Sequence, residues 1–174
     1  MKKLISMKKL VLIFCLLSVG ITNAQHFNKG DHFISGGLGF SPWSRGFLTG
    51  GVVGGYEYGL TDILGIGRIG IGGNIGLFYE NRYANTVVVN SLNPNSGFRF
   101  SFALRGAYHF DLSIDKTDIY AGLTGVIHAG LASAFFPEPG IFAGIRYYFR
   151  NNLGVYGEIG YGITNFHGGL VYSL

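Results

Sequence analysis

Between Phe98 and Phe110 the side chains alternate in kind. Phe98, Phe100, Phe102, Leu104, Tyr108 and Phe110 fall on one parity, and Arg99, Ser101, Arg105 and His109 on the other. Successive residues of a strand point to opposite faces, so this run is a strand with one apolar and one polar face. A soluble sheet turns its apolar face to a core. A membrane barrel turns it to lipid. The run spans 13 residues, roughly 43 Å at 3.3 Å per residue, which a tilt near 45° projects to about 30 Å, one hydrocarbon core.

Seven further segments show the same period. The eight are placed at 32–40, 47–60, 64–80, 97–110, 118–131, 140–150, 153–164 and 167–174. In 64–80, Ile69, Ile71, Ile75, Leu77 and Tyr79 oppose Arg68, Gly70, Gly72, Asn74 and Gly76. In 153–164, Leu153, Val155, Ile159, Tyr161 and Ile163 oppose Tyr156 and Glu158. No segment beyond the leader sustains a helical period, so the class is all-β.

The chain opens "MKKLISMKKLVLIFCLLSVGITNAQ": lysines, an apolar run from Leu10 to Val19, then small residues ending at Ala24. This is the pattern of a cleaved secretory signal peptide over residues 1–24, with the start at Met1 or Met7. The apolar run falls short of the roughly 20 residues of a spanning helix. Cys15 lies within the removed segment, behind bulky Ile13 and Phe14, which argues against a lipid anchor there. Residues 25–174 form one domain without cysteine, hence without disulfides or thiolate metal sites.

Charge and glycine decide between the two orientations. Of the chain's 13 Lys and Arg, nine remain once Lys2, Lys3, Lys8 and Lys9 leave with the leader, against nine Asp and Glu. The domain is neutral, which removes the case for nucleic-acid binding. Its 18 charges in 150 residues fall well below the roughly 25% of soluble domains. With the apolar faces inward, the outside would be too poor in charge to remain soluble. With them outward, the small and polar residues fill a narrow interior, and closure pairs every strand edge. The 29 glycines of this region, the chain's 30 less Gly20, then make room inside for long Arg, Glu and Tyr side chains. The expected fold is an eight-stranded antiparallel up-and-down transmembrane β-barrel.

Connections of unequal length orient it. "LTD" (60–62) and "RNN" (150–152) are tight turns, whereas 81–96 is a long polar excursion. Outer-membrane barrels have short periplasmic turns and longer outer loops. This predicts periplasmic termini and extracellular segments 41–46, 81–96, 132–139 and 164–166. "LSIDKT" (112–117) is long for a periplasmic turn. Tyr58, Tyr108, Phe110, Tyr147, Phe149 and Tyr172 near one end, with Phe40 and Tyr79 near the other, suit two interfacial girdles.

The stretch "GIRYYFRNNLGVYGEIGYGITNFHGGLVYSL" (144–174) and the element "YEYGLTD" (56–62) resemble the small OmpA/OmpX-type outer-membrane barrels, especially glycine-rich ones made of a barrel alone. The resemblance implies a monomeric or weakly associated barrel in outer-membrane lipid, inserted by the barrel-assembly machinery. The family's usual terminal aromatic is replaced by Leu174, with Tyr172 two residues before it. The peptidoglycan-binding domain of larger relatives is not in the sequence, so the resemblance implies no cell-wall tether.

Six charged residues are expected inside as a structural ion network: Glu57, Arg68, Arg105, Arg146 and Glu158 at comparable depth, and Arg99 nearer the outside. Buried charges must be paired, so Glu57 and Glu158 are expected to take arginine partners across the lumen. His109, His128 and His167 also face inward, but no pair has metal-ligand spacing. His128 and Ser133 with an acidic residue could be imagined as a triad, though nothing in their spacing supports it. The glycines of "GLGFSPWSRG" and "GIGRIGIGG" lie on no strand-to-helix turn and carry no phosphate site. No cofactor, metal or catalytic residue is assigned. Candidate surface contacts are Trp43, Arg45, Arg82, Tyr83, Phe135 and Phe136, facing an unidentified extracellular ligand. The expected function is a non-enzymatic envelope-structural or surface-interaction role. The alternatives are an outer-membrane lipid-modifying enzyme and a secreted lipocalin-like carrier.

Overall fold

A computed structural model describes residues 27–44, 47–82, 96–112, 114–130 and 133–174. The expected leader 1–24 and most of the 81–96 excursion lie outside them. Eight strands follow in order: β1 (His32–Ser44), β2 (Phe47–Gly59), β3 (Gly67–Arg82), β4 (Gly97–Phe110), β5 (Thr117–Gly130), β6 (Ser133–Tyr148), β7 (Leu153–Tyr161) and β8 (Phe166–Ser173). Each pairs antiparallel with its neighbours, and β1 pairs β8 from Phe33↔Ser173 to Phe40↔Phe166, closing the barrel. Closure leaves no open edge along these ladders, the condition for crossing lipid with strands.

The period-two pattern sets the faces. On β4, Arg99, Ser101, Ala103, Arg105, Ala107 and His109 are buried, whereas Phe98, Phe100, Phe102 and Leu104 are 42–63% exposed. On β3, Asn74, Phe78 and Glu80 point in while Ile71, Ile75, Leu77 and Tyr79 point out. An apolar exterior around a polar interior is the membrane-barrel arrangement, not that of a carrier with an apolar cavity. Aromatic pairs occupy both ends of the outer face. Tyr79 meets Phe98 edge to face at 5.2–5.4 Å between centroids, as Tyr108 meets Phe110.

Four boundaries differ from expectation by three residues or more. β1 runs on to Ser44, making strand of most of the expected loop 41–46. β3 begins at Gly67, so residues 60–66 form one connection, turned by Gly65 at φ 69° and closed by Leu64 N–H donating to Gly67 O at 2.6 Å. β6 begins at Ser133, making strand of the expected loop 132–139 despite Pro137 and Pro139. Its ladder with β7 starts only at Ile141, so among the described residues Ser133–Gly140, beyond the closed part of the barrel, pairs with β5 alone, and on its other side proline's missing N–H is tolerated. β7 ends at Tyr161, and Gly162 at φ 142° turns the chain so that Ile163 faces inward, 5% exposed, rather than outward.

The interior is layered. Val53, Phe78, Ala103, Val126 and Ile163 form an apolar layer, and Phe27, Phe33, Tyr148, Tyr156 and Val171 form another near the termini. The charged groups lie between and beyond these layers.

Candidate functional site: a buried ion network

Glu57, inward on β2, lies in the middle of the terminal half of the lumen. One carboxylate oxygen accepts from His109 Nε2 at 2.7 Å and the other from Arg146 Nη2, while Arg105 Nη2 stands 4.0 Å away. Asp118 accepts from His109 Nδ1 at 2.9 Å and from Arg146 Nη1 at 3.3 Å. Asp118 and Arg146 face each other directly in the β5–β6 register. Glu158 on β7 pairs with Arg105 Nη1 at 2.8 Å, accepts from Tyr120 Oη at 2.8 Å, and lies 3.0 Å from His167 Nε2.

His109 holds a carboxylate at each ring nitrogen, and only the imidazolium form donates from both. Three carboxylates (Glu57, Asp118, Glu158) then meet three cations (Arg105, Arg146, His109), all buried. Rings sandwich the cations. The Arg105 guanidinium lies 4.0 Å from the Phe142 ring centre, and Arg146 lies 4.6 Å from Tyr120 and 5.0 Å from Phe33. Such contacts recover part of the desolvation cost of a buried guanidinium.

Inward glycines admit these long side chains. A Cβ on Gly70 would lie 2.6 Å from Glu57 Oε1, and one on Gly144 would lie 2.6 Å from Tyr120 Oη. The cavity beside Asn74, Arg105 and Glu158 measures about 20 Å³, room for a single water.

Arg105, Arg146, Glu57 and Glu158 therefore meet in one cluster, and two of the expected members do not. Arg68 pairs with Asp111 at 3.2 Å, partly exposed at the rim, because β3 starts late and leaves Arg68 second in the strand. Arg99 pairs with Glu80 at 2.9 Å, on the far side of the Val53–Phe78–Val126 layer. Asp118 and Glu80 escaped sequence reasoning. Glu80 shares the inward parity of Asn74, and Asp118 that of His128, signals that could have found both; the β5–β6 register was needed only to set Asp118 opposite Arg146. At the same rim, the hydrogen bond from Lys29 Nζ to Asp62, 2.8 Å, holds the Lys29 ammonium above its ordinary value.

A second constellation crosses β4, β5 and β6. Ser101 Oγ lies 2.8 Å from His128 Nδ1, and His128 Nε2 lies 3.4 Å from Glu138. It uses Ser101, the direct cross-strand partner of His128, and not Ser133. Ser101 is fully buried against the apolar layer. The arrangement satisfies buried polar groups.

Of the candidate surface contacts, Arg45 and Tyr83 lie outside the described residues. Trp43 is in β1, Arg82 ends β3, and Phe135 and Phe136 are in β6 rather than a loop. Their side chains are not among those described.

One similar solved chain comes from work titled "De novo design of transmembrane beta-barrels". It is 16% identical with a TM-score of 0.53, over 87% of this chain and all of that one. At this identity the likeness concerns fold alone, and the fold is an eight-stranded transmembrane-type barrel. No protein-family model matches the chain. No curated protein matches it.

Proposed function

We propose that this chain is a non-enzymatic integral outer-membrane barrel of the small OmpA/OmpX type, with periplasmic termini and a role in envelope structure or surface interaction. The observation that carries this reading is the charge-matched interior around Glu57, Asp118 and Glu158, which fills the lumen that a transporter would leave open. Arg105, Arg146, Glu57 and Glu158 act in it as structural residues, with Arg68 and Arg99 in separate pairs. The partners are outer-membrane lipid, the barrel-assembly machinery during insertion and an extracellular ligand at the outer loops. The barrel acts as a monomer.

The test is migration on a detergent gel. The membrane-fraction protein is expected to run faster unheated than boiled, because a closed barrel resists detergent until heated. A single unshifted band from a soluble fraction overturns the reading. The enzymatic alternative has one observation in its favour, the Ser101–His128–Glu138 constellation. It predicts that purified barrel changes the acyl chains of lipid A in a mass spectrum.

A further inference from the structure

Tight turns at a barrel rim that faces water are normally polar. The β6–β7 turn obeys at its tip, where Arg150, Asn151 and Asn152 are all exposed beyond a single aromatic, Phe149. The β2–β3 connection does not. Its Leu60, Ile63, Leu64 and Ile66 are 42–67% exposed, and Leu112 and Ile114 after β4 add two more aliphatic side chains. Both connections flank the β3–β4 pair, so the six residues share one side of the rim.

Hydrogen bonds hold this patch in place against the wall. Tyr108, an outward residue of β4, donates from Oη to Leu64 O at 2.5 Å, and Asp111 N–H donates to Ile66 O at 2.9 Å. The connection thus leans on the apolar outer face and continues the belt formed by Tyr108 and Phe110. Asp62 is the one charged residue in 60–66, and Lys29 pairs with it at 2.8 Å. An ordered, charge-neutral aliphatic surface continuous with a lipid-facing belt is suited to acyl chains.

We infer that the 60–66 connection, with Leu112 and Ile114 beside it, is a lipid anchor. Leu60, Ile63, Leu64, Ile66, Leu112 and Ile114 sink into the acyl–headgroup boundary of the periplasmic leaflet. The polar β6–β7 turn stays in water, so the barrel axis tilts toward the β3–β4 side. This rests on the membrane-barrel reading above.

The experiment separates the two. Trp43, the chain's one tryptophan, is replaced in a Trp43→Phe background, and Ile63→Trp, Asn151→Trp or Leu123→Trp is added. Each full chain is folded into phosphatidylethanolamine–phosphatidylglycerol vesicles with acyl-brominated lipid. Leu123, 69% exposed on the outer face of β5, reports the belt itself. Quenching of Leu123→Trp upholds the membrane reading, and its absence overturns that reading and the anchor together. With Leu123→Trp quenched, the anchor predicts that bromolipid quenches Ile63→Trp at least about twofold more than Asn151→Trp, with aqueous iodide in the reverse order. Equal iodide quenching at both turns overturns the anchor. So does an Ile63→Trp shielded from iodide but untouched by bromolipid, which would mark a protein partner or a second copy there.

Discussion

The imidazole of His109 lies flat against the ring of Phe27, with centroids 3.5 Å apart and planes 3° from parallel. Phe27 comes from the segment ahead of β1, and it also stacks on Phe33 at 5.2 Å. It closes the terminal mouth of the barrel over the charged network, with its ring against the cation that bridges Glu57 and Asp118. Replacing Phe27 with Ala opens this mouth to water. The expected loss is about 3 kcal/mol in urea unfolding of the refolded barrel. A Phe27→Ala barrel as stable as the parent would show that the stack contributes nothing.

Glu57 touches three cations, so removing its charge while keeping its shape tests the network directly. Glu57→Gln strands Arg146 and His109 with one carboxylate between them, and about 3 kcal/mol or more of stability is expected to go. In a double-mutant cycle with Arg146→Met, the two losses are expected to be strongly non-additive. Additive losses would mean that the two side chains act independently.

Glu158→Ala removes the partner of Arg105 and of the Tyr120 hydroxyl. Its unheated, fast-migrating gel band is expected to disappear at a lower temperature than the parent's. Equal heat resistance would count against a stabilising role for the network.

Two glycines on opposite faces give a paired prediction. A methyl on Gly70 would lie 2.7 Å from Phe27 Cζ as well as against Glu57, whereas one on Gly157 meets nothing within 4 Å. Gly70→Ala is expected to cost about 1–3 kcal/mol through overpacking. Gly157→Ala is expected to be neutral or to gain about 0.5 kcal/mol, since glycine weakens a strand interior. Equal effects on unfolding would remove the inward-space explanation for the glycine content.

Ser101 is enclosed despite its bond to His128. A fluorophosphonate probe is therefore expected to leave the folded protein unlabelled, read by intact mass. A stoichiometric adduct lost in Ser101→Ala would favour the enzymatic alternative.

Much of this molecule is legible in its sequence. Alternation at Phe98–Phe110 assigns each residue a face, and too few charges for a soluble exterior say which face meets lipid. Both signals are local or compositional, so the chain carries them unfolded. The same parity places Arg105, Arg146, Glu57 and Glu158 inside. It could not say which carboxylate meets which cation. Glu57 and Arg146 are 89 residues apart, and their meeting depends on the register of every ladder between them, where a slip of one residue exchanges the faces. Tertiary structure alone decided that Arg68 stays at the rim with Asp111, that Arg99 pairs with Glu80 beyond an apolar layer, and that Ile163 turns inward after Gly162. It also brought Phe27, ahead of the first strand, onto His109. Period and composition determine which side of the wall a residue occupies, whereas closure of the barrel determines its depth and its neighbour across the lumen.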